Sequence, residues 1–250
     1  MALPTIVTPR YTLEQPSTGK QLSYRPFLVK EEKLLLLAAQ SDDENEAQLE
    51  AVKAIKQVIE NCCEDLGNIE DLPLFDLEYI FLQLRAKSIG ETVEPVIPCP
   101  ECGKPIKLKV NLANVKVVKP AGNNFDIRLS NDIGVKMKYP SFNVFQSRLV
   151  GQDFTMEQVF DVLIDCIECI YTSEEVHAVK DYNRQEVADF LDSLTQEQFS
   201  KIQNFFETIP RVEHTAKYTC KNKVETGDDT SKPCGYKGEI VMNSVNDFFG

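Results

Sequence analysis

The chain is 250 residues long and carries 27 Lys and Arg against 39 Asp and Glu, a formal net charge of −12. Hydrophobic residues make up 42% of it and charged residues 26%, an ordinary globular balance that argues against a disordered chain. The acidic excess weighs against binding to nucleic-acid phosphates or an anionic membrane, which draws on Lys and Arg. No apolar run approaches the roughly 20 residues that a membrane-spanning helix needs. The first segment, broken by Pro4, Pro9 and Pro16, lacks the apolar stretch of a secretory signal. The expectation is a soluble chain whose eight cysteines stay reduced, so that metal ligation outranks disulfide bonding. Only His177 and His214 are present, which thins the field for acid–base catalysis.

In chain order, residues 1–22 are rich in Pro, Thr, Ser and Gln and read as an extended arm. Residues 23–29 give a strand signal in which Pro26 removes a ladder donor, as at a sheet edge. Residues 30–39 are strong helix formers. A second helix is expected over 44–63, with Val52, Ile55, Ile59 and Cys62 on one face. A third spans 74–88, striped by Leu77, Ile80, Phe81 and Leu84 and stopped by Gly90. The period then changes. Residues 92–96 and 106–110 alternate as half-buried strands do, and 125–129 with 134–139 suggest a hairpin. From Pro140 the pattern is helical again. Thr155 with Gln158, Asn183 with Glu186 and Thr195 with Gln198 are three N-terminal capping boxes. A last strand pair joins 214–219 to 238–242. The fold class is α+β: an arm (1–22), a mainly helical body (23–90 and 140–210) and a β-rich region (91–139 and 211–250).

The strongest chemical signal is Cys99-Pro100-Glu101-Cys102-Gly103-Lys104. A C-x-x-C-G segment beside a strand makes a tight turn that aims two thiolates at one ion, with Gly103 supplying a positive φ. One turn is half a tetrahedron. The other half is Cys220 with Cys234-Gly235-Tyr236, which again sets Gly after a cysteine. The polar, turn-rich residues 221–233 stand where two would do, an insertion compatible with neighbouring sulfurs. Cys99, Cys102, Cys220 and Cys234 are therefore the expected structural zinc ligands of a zinc-ribbon-like site built from two distant knuckles; His214 in place of one ligand, or unligated thiols, are the alternatives. Cys166 and Cys169 form a second C-x-x-C, which falls in a helical pattern and reads as core packing rather than a redox pair. Of Cys62 and Cys63, one is expected in the core and the other at its rim. No phosphate-binding glycine loop, zinc-protease or serine-hydrolase motif occurs, so no enzyme is expected.

Several of these segments together resemble the baseplate hub assembly proteins of T4-like contractile-tailed phages. They are Ser23-Tyr24-Arg25-Pro26-Phe27 leading into the helix at Lys30, the Cys-Pro-x-Cys-Gly turn, the stretch from Leu194 through Phe199 to Pro210, the distal cysteines and the Phe248-Phe249 end. The resemblance spans nearly the whole chain. It implies a late viral protein that assists assembly of the baseplate's central hub as chaperone or scaffold, in the host cytoplasm and, where it is retained, in the virion tail. Its partners would be hub or tail proteins, with no small-molecule substrate and no membrane. Tyr24, Arg25, Pro26 and Phe27 are one expected contact, and Phe248 with Phe249 another, as aromatic anchors; burial of the two phenylalanines in the chain's own core is the competing expectation. The arm is a further docking element by strand addition, or else packs on its own domain. A second class stays open: a zinc-ribbon nucleic-acid or transcription-associated factor, using Lys104, Lys107, Lys109, Lys217, Lys221 and Lys223 around the knuckles. The same lysines also read as a solvated face, because no aromatics interleave them.

Overall fold

In the computed structural model, which describes residues 6–38, 40, 44–144, 156–226 and 230–249, helices and small antiparallel sheets alternate along the chain. The expected arm folds back on itself. β1 (Tyr11–Glu14) pairs with β2 (Gln21–Tyr24), and β2 takes the two-residue β3 (Cys63–Glu64) on its other side. Leu13 faces Leu22 across the hairpin and both are buried, which is how four-residue strands are held despite a polar composition. The second strand stops at Tyr24 instead of reaching residue 29, because Pro26 has no N–H to continue the ladder.

Three helices follow: α1 (Val29–Ala38), α2 (Glu44–Cys62) and α3 (Leu74–Ser88). Buried Glu31 fixes the start of α1, accepting the Leu28 N–H at 2.8 Å and the Arg25 guanidinium at 3.0 Å. α3 is apolar on nearly every side, as helices at the centre of a protein are. One face (Leu77, Ile80, Phe81, Leu84) closes a core with the first hairpin and α2. The other (Leu82, Ala86) belongs to the core beneath the cysteine knuckles. At its start the buried Asp76 carboxylate accepts from Gln15 Nε2 at 2.7 Å, the Ser17 N–H at 2.9 Å and the Ser17 hydroxyl, latching the hairpin turn to the helix.

Beyond α3 the strands are short. β4 (Thr92–Val93) pairs with β7 (Val110–Asn111), and β5 (Val96–Pro98) pairs with β6 (Pro105–Lys107) around the first cysteine turn. β8 (Lys116–Val118), which carried no clear sequence signal, adds to one edge of β13 (Arg211–Thr219). The other edge of β13 takes β16 (Lys237–Met242), the expected strand pair, antiparallel with His214 opposite Met242. Between them, β14 (Lys223–Thr226) and β15 (Thr230–Pro233) form a hairpin. A final helix, α7 (Val245–Phe249), turns back over this core.

The third core lies under a separate four-stranded sheet in the order β12-β11-β10-β9. β9 (Asp126–Arg128) and β10 (Ile133–Met137) make the expected hairpin, but it packs beneath α4 (Met156–Asp165), α5 (Arg184–Asp192) and α6 (Gln196–Glu207) and not with the knuckles. The Asn183 and Thr195 capping boxes are both formed; Thr155 lies outside the described residues. One expectation fails here. The helical pattern across Cys166 and Cys169 breaks, since α4 ends at Asp165 and the chain continues as β11 (Ile167–Thr172), paired with β12 (Val176–Ala178). Short apolar runs fit both periods, and β-branched Ile167, Ile170 and Thr172 with Tyr171 tip this one to strand. The C-x-x-C is thus split, with Cys166 on the turn after α4 and Cys169 within β11. Cys166 is fully buried, and burial pushes its thiol up to about 12, a packing residue.

Candidate metal centre

Cys99 and Cys102 sit on the turn between β5 and β6; Cys220 and Cys234 flank the β14–β15 hairpin. The fold brings all four sulfurs within 4.8 Å of one another. Two pairs cross between knuckles, Cys99 Sγ to Cys234 Sγ at 3.9 Å and Cys102 Sγ to Cys220 Sγ at 3.7 Å. A disulfide needs about 2.05 Å, so these are thiols. The sulfurs of a tetrahedral Zn²⁺ site, with Zn–S near 2.3 Å, stand roughly 3.8 Å apart. The donor set fits a zinc-type ion. Cys99 and Cys220 are buried and the other two half-buried, so the cluster is closed by protein on one side.

The two knuckles are built alike despite their different lengths. In the first, the Cys99 N–H donates to the Lys104 carbonyl at 2.9 Å and the Gly103 N–H to the Cys99 carbonyl at 2.8 Å. In the second, the Cys220 N–H donates to the Tyr236 carbonyl at 2.7 Å and the Gly235 N–H to the Cys220 carbonyl at 3.0 Å. Gly103 and Gly235 take φ of 69° and 72°, the left-handed region that glycine enters without penalty. The inserted hairpin therefore leaves the closing bonds of the turn unchanged. Its own base is tied down by the Cys234 N–H to the Asn222 carbonyl (2.8 Å), by Asn222 Nδ2 to the Pro105 carbonyl (3.0 Å) and by Lys104 Nζ to the Lys223 carbonyl (2.6 Å).

The electrostatics match a site that expects a cation. Burial works to raise the Cys99 thiol, but N–H donors of Cys102 and Glu101 outweigh it and bring it down to about 7. Cys234 also accepts a backbone N–H, from Tyr236, yet burial and its sulfur neighbours push it up to about 12. Four thiolates at this spacing repel one another, and a divalent cation is what lets all of them ionise together.

The other sequence-derived residues are placed differently. His214 lies on β13 outside the sulfur cluster. Tyr24 and Phe27 are buried in the first core, and Phe248 is 1% exposed in the second, so their rings are not free to anchor a partner. Aromatic area of that size is worth more inside a core than on a surface. Arg25 is held by Glu31 and by the Asn61 carbonyl at 3.0 Å, while Pro26 is half-buried beside it; the Phe249 side chain lies outside the described residues. Cys62 and Cys63 are both buried, with none at a rim, and burial pushes their thiols up to about 11 and 12. Of the six lysines around the knuckles, Lys104 is tied to Lys223, and Lys217 faces Glu239 across the sheet. Tyr218 and Tyr236 approach each other over Gly238, an aromatic frame beside the cluster that the sequence reading missed.

A sequence profile described as "T4 bacteriophage base plate protein" matches residues 8–250, and the chain belongs to this family. It is 25% identical over 178 residues to the baseplate hub assembly protein gp26 of Enterobacteria phage T4, an alignment covering 71% of this chain and 74% of that one. No solved structure matches it. Membership implies a role in the phage baseplate and contact with other baseplate proteins.

Proposed function

We propose that this chain assists assembly of the baseplate's central hub by protein–protein contacts, as chaperone or scaffold and without catalysis of its own, and that Cys99, Cys102, Cys220 and Cys234 hold a structural zinc ion. The hub reading is supported by the name of the T4 relative and by the family match over most of the chain. The zinc reading is supported by one observation: four sulfurs, two from each knuckle, lie within 4.8 Å of one another, with two cross-knuckle pairs at 3.7 and 3.9 Å, close to the edge of a tetrahedral thiolate site. Four thiolates complete the coordination, so the ion has no vacant position for a substrate or an activated water. Its work is to join two turns that lie 118 residues apart in the chain, Cys102 to Cys220. The site of action is the infected cell's cytoplasm, where tails are put together.

The test has two arms. Metal analysis of protein purified without chelator should return one zinc per chain, and none from Cys99→Ser. Co-expression with the baseplate proteins of the same phage, followed by affinity capture of this chain, should recover hub components. Recovery of nucleic acid in a salt-sensitive complex, with no baseplate protein, would overturn the assembly reading.

A further inference from the structure

A cleft of about 770 Å³ opens between α2, α3, the end of α6 and the approach to α7. Its walls are apolar: Val52, Ile55, Phe206, Ile209 and Val245 line it half-exposed, with Phe142 buried at its side. Apolar side chains left exposed together in this way mark a contact surface. Two carboxylates line the cleft as well, exposed Glu207 and half-buried Glu78, and Glu78 is the one set among the apolar side chains. The two cations that line the same cleft are engaged elsewhere, Lys56 with Glu70 at 2.6 Å and Arg211 with Glu213 at 3.2 Å. Among the described residues no lysine or arginine pairs with Glu78. Burial, with a smaller push from the like charge of Asp247, takes its carboxyl up to about 7, against the backbone N–H of Val245, which favours the charged form.

A carboxylate kept in an apolar wall without a cation is a half-made ion pair, and the partner that completes it carries the other half. We propose that this cleft receives an amphipathic helix of another baseplate protein, one that presents apolar residues at i, i+3 and i+4 with a single Lys or Arg among them for Glu78. The cleft is a groove between packed helices, the shape into which such a helix lays its apolar face. The cation gives direction and register, because it must reach one carboxylate while its neighbours fill the apolar walls. This inference rests on the assembly reading and names the contact through which it would act.

The probe is a synthetic 14-residue helical peptide of Leu and Ala with one central Lys, compared with the same peptide carrying norleucine there. Fluorescence anisotropy with the full-length chain should show the Lys peptide binding about tenfold or more tightly, since completing a buried charge pair dominates such contacts. Glu78→Gln should erase that preference while leaving binding of the norleucine peptide unchanged, and Ile55→Asp should weaken both. Equal affinities for the two peptides, an undiminished preference in Glu78→Gln, or no binding of either overturns the proposal. Capture of hub proteins by the wild-type chain is scored separately. If capture succeeds but is indifferent to Glu78→Arg and Ile55→Asp, the cleft is wrong and the assembly reading stands; if the wild type captures none, the assembly reading itself falls.

Discussion

Gly103 and Gly235 show how much of the metal centre is set one residue at a time. A Cβ added at Gly103 meets nothing within 4 Å, so the cost of Gly103→Ala is conformational alone. A left-handed alanine should lower stability by about 1 kcal/mol, read from urea unfolding of the metal-loaded chain. A cost near zero would mean that the turn does not need its positive φ. Cys99→Ser is a different case, because it removes a ligand: loss of bound zinc and a lower melting temperature are expected together, and an unchanged melting temperature with metal retained would refute the site. Glu78 sets a pH dependence. Its carboxyl is raised from 4.5 to about 7 in the fold. Its contribution to stability is therefore complete below about pH 4.5, the unfolded value, and is lost as the pH rises through about 7. Glu78→Gln should flatten that fall, which unfolding midpoints measured across about pH 5 to 8 would reveal. Parallel curves for mutant and wild type would refute it.

Among the elements, those with local signals were legible from the sequence and those decided by contact were not. The bounds of α3 were readable from its apolar stripe and from Gly90 just beyond its end, and the capping boxes of α5 and α6 because a cap is a bond between residues three apart. Asn183→Ala and Thr195→Ala should each cost about 1 kcal/mol in denaturant unfolding. The same reading took residues 166–169 for helix, since nothing local says that β10 waits to pair with them. It also took the first hairpin for an arm, because two four-residue strands owe their stability to Leu13, Leu22 and the Asp76 latch. The expected stripe of α3 described only one of its faces. Leu82→Ala and Leu84→Ala, on opposite sides of the helix, should both cost roughly 2–5 kcal/mol, where a surface helix would show one large loss and one small.

Across the whole molecule, α3 and the cysteine cluster hold distant parts of the chain together. The second core draws on residues from Leu82 to Phe248 and contains Cys99 and Cys220. Chelation of the metal should therefore loosen that core first. Hydrogen exchange should show protection falling in β5, β6, β13 and β16 while α4, α5 and α6 keep theirs; uniform loss would mean that the ion stabilises the protein as a single unit. The candidate ligands were readable because thiolate pairs with a following glycine have few other uses. Their meeting was expected from the repeated Cys-Gly signal, and the structure brings the four sulfurs within 4.8 Å of one another; what the sequence did not show is that residues 221–233 fold as a hairpin that closes the second knuckle. What the sequence determined alone was local chemistry: net charge, helix caps, the positive-φ glycines and the identity of four sulfurs. Tertiary structure decided which strands pair, which aromatics are buried, and that Glu78 lines an apolar cleft with no cation partner among the described residues. Those outcomes depend on contacts between residues far apart in the chain, and no spacing along it encodes how such surfaces fit.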